Sequence, residues 1–151
     1  MRFDQRIEVK ASPERVWAFL WEVERVARCL PGCREVRVVE AQKKYEVVVE
    51  QRVGQFKTRF NMDVEVVQFE EGRSVRLLSK GQDKVLGASS KGELELTLEP
   101  LPSGGTMLEI GADISVVGKI ATFGQAIIKR KAQQVMDGFG AALAAELEGE
   151  A

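Results

Sequence analysis

The chain has 151 residues with 22 basic and 23 acidic side chains, a formal net charge of −1 and no histidine. That length fits one domain, residues 1–151, built on one core. The charge balance supplies no overall basic excess for nucleic acid, and without histidine the commonest general acid–base group and the commonest metal ligand are both missing.

The N-terminus, Met1-Arg2-Phe3-Asp4-Gln5-Arg6, alternates charge where a secretory signal would run apolar, so a cytoplasmic protein is expected. From Arg2 to Lys10, Phe3, Ile7 and Val9 alternate with charged residues, which predicts a half-buried antiparallel strand. Ser12 then offers an N-cap, Pro13 suits the first helical position and Glu14 suits the positive end of the dipole. Apolar spacing by three and four through Val16, Trp17, Leu20, Val23, Val26, Ala27 and Leu30 predicts helix, broken near Trp21-Glu22 into two short pieces. Pro31-Gly32 ends it. Cys29 and Cys33 flank Leu30-Pro31-Gly32 and are expected to be ordinary thiols, because two cysteines leave a tetrahedral metal site short of ligands and a reducing compartment disfavours a disulfide.

From Cys33 to Ile114 the pattern is strand after strand. The clearest is Phe56–Val66, where Phe60, Met62, Val64 and Val66 share a face opposite Lys57, Arg59, Asn61, Asp63 and Glu65. Shorter alternations follow around Tyr45–Val49, Leu94–Leu98 and Leu108–Ile114, separated by glycine- and proline-rich turns. The period changes again from Lys119 to Glu148, which predicts one amphipathic helix of about 30 residues, roughly 45 Å long. Gly124, Gly138 and Gly140 inside it permit a bend or a close backbone approach, or are merely tolerated. The run Lys129-Arg130-Lys131 reads as a solvated helix face, and no window approaches the ~18–20 apolar residues of a membrane span.

Each strand has a single apolar face, and the one element long enough to cover that face is the C-terminal helix. The expected fold is therefore α+β: a curved antiparallel sheet of about seven strands wrapped around a long C-terminal helix, with two short helices after the first strand. A curved sheet and a straight helix cannot match along their whole length, so bulky side chains or a ligand must fill the remaining space. The expected cavity lining is Leu30, Phe60, Met62, Leu77, Leu96, Ala112, Phe123 and Ile127. Small residues at Gly87-Ala88-Ser89-Ser90 and Gly111-Ala112 either leave room on the concave wall or mark bulges and close contacts. Asp83, between Gly81 and Gly87, reads as an acid at a cavity mouth or, more in keeping with its setting, as a turn residue bonding its own backbone. No nucleophile elbow or phosphate loop occurs. Asp83 and Tyr45 are the only candidates for catalysis, and a binding protein without catalytic residues, metal or cofactor is expected.

Several stretches together resemble CoxG, a family of carbon monoxide dehydrogenase subunits within the START-like, Bet v 1-like (SRPBCC) helix-grip superfamily. They are Ser12-Pro13-x-x-Val16-Trp17-x-x-Leu20, Cys29-Leu30-Pro31-Gly32-Cys33 with Val36, Gly81-x-Asp83-x-x-x-Gly87, Thr106, and Val116-Val117-Gly118-Lys119-x-Ala121-x-x-Gly124. The resemblance implies a sheet gripping a helix over a hydrophobic cavity, with Pro31, Gly32, Gly81, Asp83 and Gly87 at its mouth. It also implies a respiratory quinone or lipid as ligand, and a molybdenum-containing CO dehydrogenase as partner. Peripheral contact with the inner face of the membrane is implied too. The alternative within the resemblance is a ligand-free adaptor or maturation factor that docks the dehydrogenase through the Leu-Pro-Gly turn.

Overall fold

Strand β1 (Arg2–Val9) buries Phe3 and Val9 and turns Arg2, Asp4 and Arg6 outward, as its alternation requires. The structure, a computed structural model, describes residues 1–149 except for the side chains of Thr122 and Phe123. After β1, the Ser12 hydroxyl accepts the Arg15 N–H at 3.2 Å and starts α1 (Pro13–Leu20). The chain breaks at Trp21, whose N–H returns to the Ala18 carbonyl, and restarts as α2 (Val23–Cys29).

Leu30 leaves the helix in an extended conformation, and Gly32 turns the chain at φ +84°. A Cβ on Gly32 would run into the Glu50 carbonyl, so only glycine fits this turn. Two hydrogen bonds hold it to the sheet: Glu50 N–H to the Gly32 carbonyl at 2.8 Å, and Gln51 Nε2 to the Pro31 carbonyl at 2.6 Å.

Six strands follow: β2 (Cys33–Glu40), β3 (Lys44–Val53), β4 (Phe56–Glu70), β5 (Ser74–Asp83), β6 (Ala88–Pro100) and β7 (Thr106–Gly118). With β1 they form one seven-stranded sheet in the order β1-β7-β6-β5-β4-β3-β2, every neighbour antiparallel. Register shifts at Cys33/Glu35, Val38/Glu40 and Val66/Gln68 add local twist and bend where the sheet curls.

The C-terminal helix departs from expectation at its start. Lys119–Phe123 is a 3-10 helix, and α3 spans Gln125–Glu148 only. Gly124 lies between them at φ +100°, a conformation that cannot sit inside an α-helix, so the periodic pattern runs through a break. The other two glycines serve close approach. A Cβ on Gly138 would meet the Pro31 ring at 2.9 Å, and one on Gly140 would meet Gln5 and Ile7 of β1.

The main core joins β1, β7, α1 and the C-terminal half of α3, with Val16, Phe19, Leu108 and Leu143 fully buried. A separate small cluster of Val53, Ala88 and Ile120, with Phe60 and Val116 beside it, closes the opposite end of the concave face.

Candidate functional site

A cavity of about 230 Å³ lies on the concave face under α1 and α2. The two helices contribute Trp17, Leu20, Trp21, Val23, Val26, Ala27 and Leu30. The sheet contributes Val36, Tyr45, Val47, Val64, Val66, Val75, Leu77, Leu94, Leu96 and Ile110, and α3 adds Met136 and Phe139. Trp17, Tyr45, Val75, Leu96, Ile110 and Met136 are buried, whereas the remaining side chains are half-buried, so part of the wall meets the outside. No lining side chain is charged. An apolar space of this kind is dry, because water entering it would lose hydrogen bonds without replacement, and it is suited to an apolar guest.

The few polar side-chain atoms of the lining are accounted for one by one. Trp17 Nε1 donates to Glu71 Oε1 at 3.0 Å, and the Tyr45 hydroxyl accepts the Gln42 N–H at 2.8 Å. Trp21 Nε1 is buried without a partner. Trp17, Trp21 and Phe69 stack beside the cavity, with ring centroids 5.7 Å apart for the tryptophans and 5.4 Å for Trp21–Phe69, both edge-to-face. Phe69 is 43% exposed, so this aromatic group reaches the protein surface.

Of the residues expected to line a cavity, the structure brings together Leu30, Leu77 and Leu96. Phe60 instead packs on the small cluster, and Met62 lies against Gly81, where a Cβ would strike its sulfur. Ala112 is fully buried in the main core. Ile127 points outward, 40% exposed, because the break at Gly124 resets the phase of α3. The side chain of Phe123 lies outside the described residues. The wall also contains residues the alternation pattern left unmarked, above all those of α1 and α2. Their signal was present: seven apolar side chains on two short helices exceed what one buried stripe requires.

The residues expected at a cavity mouth are elsewhere. Asp83, only 4% exposed, caps the β5–β6 turn: its carboxylate accepts N–H groups of Arg59 (2.8 Å), Val85 (3.0 Å) and Leu86 (3.0 Å). Loss of solvent pushes this carboxyl up, but the N–H groups of Arg59, Leu86 and Val85 outweigh it and hold it below the usual carboxylate range. Gly87 completes the same turn at φ +60°. Pro31 and Gly32 lie one and two residues past the lining residue Leu30, facing α3 and β3, so the Leu-Pro-Gly turn is engaged internally. Cys29 and Cys33 are free. Burial pushes both thiols up, and at Cys29 the Glu146 carboxylate adds to the effect, which leaves neither a poised nucleophile.

A profile of the carbon monoxide dehydrogenase CoxG family matches residues 6–148. This chain belongs to the CoxG family. Among solved structures, the CoxG-family chain is similar to a conserved protein from Geobacillus kaustophilus, with 22% identity over 97% of this chain and 95% of that one, at a TM-score of 0.86. It is also similar to a START superfamily protein from Mycobacterium smegmatis, with 17% identity, 99% of each chain covered and a TM-score of 0.78. A third likeness is to the Zhui aromatase/cyclase from Streptomyces sp. R1128, with 15% identity over 98% of this chain and 93% of that one, at a TM-score of 0.71. These likenesses establish the START-like helix-grip fold. A search of curated proteins finds no match to this chain. Among the described residues, no helix is long and apolar enough to cross a membrane, and no cluster of cysteine and carboxylate side chains is placed to hold a metal ion.

Proposed function

We propose that this CoxG-family domain carries an apolar molecule, a respiratory quinone or a lipid, in the cavity beneath α1 and α2, as an accessory to a molybdenum-containing CO dehydrogenase. The observation that carries the reading is a cavity of about 230 Å³ whose lining contains no charged side chain. Binding there is driven by removing apolar surface from water, at about 0.8 kcal/mol for each methylene buried. The volume is below the roughly 300–1,000 Å³ of pockets that enclose a drug-sized ligand. It suits one ring or a short stretch of chain, with a longer tail leaving by the half-buried side of the wall. No step of catalysis is assigned. Asp83 is engaged in a turn outside the cavity, and the Tyr45 hydroxyl, though in the lining, is tied to the β2–β3 turn.

The test is solvent extraction and mass spectrometry of protein purified from a quinone-producing host, followed by titration of the apo-protein with a short-chain quinone. Trp17 and Trp21 line the cavity, so their fluorescence reports occupancy directly. A stoichiometric quinone or lipid, with saturable quenching, is expected. An empty extract together with no quenching at any quinone concentration would overturn the carrier reading.

A further inference from the structure

One end of the molecule is built from three segments: the β3–β4 hairpin, the β5–β6 hairpin, and the 3-10 helix with the first turns of α3. Val53, Ala88 and Ile120, one from each segment, are buried against one another and pin that end together. The net charge conceals how basic it is. Residues 51–62, 80–92 and 114–136 hold ten of the 22 basic residues and one of the 23 acids, leaving 12 and 22 for the rest of the chain. The single acid is Asp83, buried and bonded to backbone N–H groups.

The cations at the tip have nothing to neutralise them. Arg52 and Lys57 stand directly opposite each other in the β3–β4 ladder, a like-charge pairing that costs the hairpin stability. Lys84 projects from the neighbouring hairpin, and Lys129 and Arg130 from the start of α3, all exposed. Among the described residues none of these five forms an ion pair. Exposed aliphatic side chains stand between them: Val85 at the β5–β6 tip is 93% exposed, Val117 58% and Ile127 40%.

We propose that this end is the surface by which the folded domain docks on an anionic lipid bilayer. Lysine and arginine reach the lipid phosphates, while Val85, Val117 and Ile127 enter the boundary between head groups and acyl chains. Convex loop tips with single aliphatic side chains among cations fit that interface. A nucleic acid would satisfy the cations and leave the valines without a partner. The docking surface shares no residue with the cavity lining, so it stands or falls separately from the carrier reading.

The experiment is co-sedimentation of the full chain with vesicles of phosphatidylcholine alone and of phosphatidylcholine mixed with phosphatidylglycerol, at low and high salt. Binding is expected to the phosphatidylglycerol vesicles only and to vanish at high salt. The triple variant Arg52→Gln, Lys57→Gln, Lys84→Gln is expected to lower partitioning by about 100-fold, at about fivefold for each cation near an anionic surface. Val85→Ser is expected to weaken binding severalfold while preserving the salt dependence. All four positions are exposed, so unchanged thermal unfolding verifies that the variants fold. Absence of binding to phosphatidylglycerol vesicles at low salt, or a triple variant that binds like the parent, would sink the proposal. Retention on an immobilised acidic protein with no vesicle binding would assign the surface to a protein partner and overturn the lipid assignment. Vesicle binding with no quinone quenching would strike the carrier reading alone, and quenching without vesicle binding would strike this one alone.

Discussion

The two ends of one concave face behave differently although the same strands build both. Along β4, Phe60, Met62, Val64 and Val66 alternate in one unbroken pattern. At the Phe60 end, Ile120 of the 3-10 helix descends onto Val53 and Ala88 and the space is filled. At the Val64–Val66 end, α1 and α2 arch over the sheet and leave a cavity. Apolar alternation therefore reports which face is dry and is silent on whether that face is packed. What covers the face decides, and here the deciding element is five residues long and lies just before Gly124.

The comparison is open to attack by mutation, beginning with deletions. Ile120→Ala is expected to open a new void at the filled end and to cost about 2–5 kcal/mol in denaturant unfolding. Leu77→Ala at the hollow end enlarges a space already empty, so it is expected to cost only about 1 kcal/mol, the transfer share of a half-buried side chain. Equal losses at both positions would mean that the hollow end is packed in solution.

Insertions reverse the contrast at smaller amplitude. Ala88→Phe overpacks the filled end, with an expected loss of about 1–3 kcal/mol. Val64→Phe places its ring in the cavity, and its stability is expected to stay within about 0.5 kcal/mol of the parent. The same Val64→Phe change is expected to abolish quinone quenching, whereas Ala88→Phe leaves quenching intact in whatever fraction folds.

The smallest effect concerns the turn that shapes the filled end. Asp83→Asn keeps the shape but removes the charge that three N–H groups bond, with an expected cost of about 1–2 kcal/mol at pH 7. Its folded carboxyl lies below the ordinary value, so the stability it lends is present above the unfolded pKa of about 3.9 and is lost as pH falls through the lower folded pKa. The parent and the variant should therefore converge in urea midpoint as the pH is taken below about 3. A gap of constant size down the acid limb would show that the carboxylate charge contributes nothing.

Much of this architecture was legible residue by residue. Ser12 followed by Pro13 located the start of α1, the interruption at Trp21-Glu22 separated two helices, and strict alternation marked β4. Asp83 was readable as a turn residue from its glycine neighbours, and its hydrogen bonds bear that out against the cavity-mouth alternative. The cavity wall was harder to read. Leu30, Leu77 and Leu96 line it, but Phe60, Met62, Ala112 and Ile127 do not, since a face is a local property and a void is a distance between elements remote in sequence.

The sequence by itself determined the periods of the elements, the single dry face of each strand and the family, because backbone geometry converts spacing directly into faces. Only the tertiary structure decided where that face is hollow and that a chain of net charge −1 gathers its unpaired cations at one end. The reason is common to both: composition and period add along the chain without regard to place, whereas cavities and electrostatic surfaces depend on which distant segments come to lie side by side.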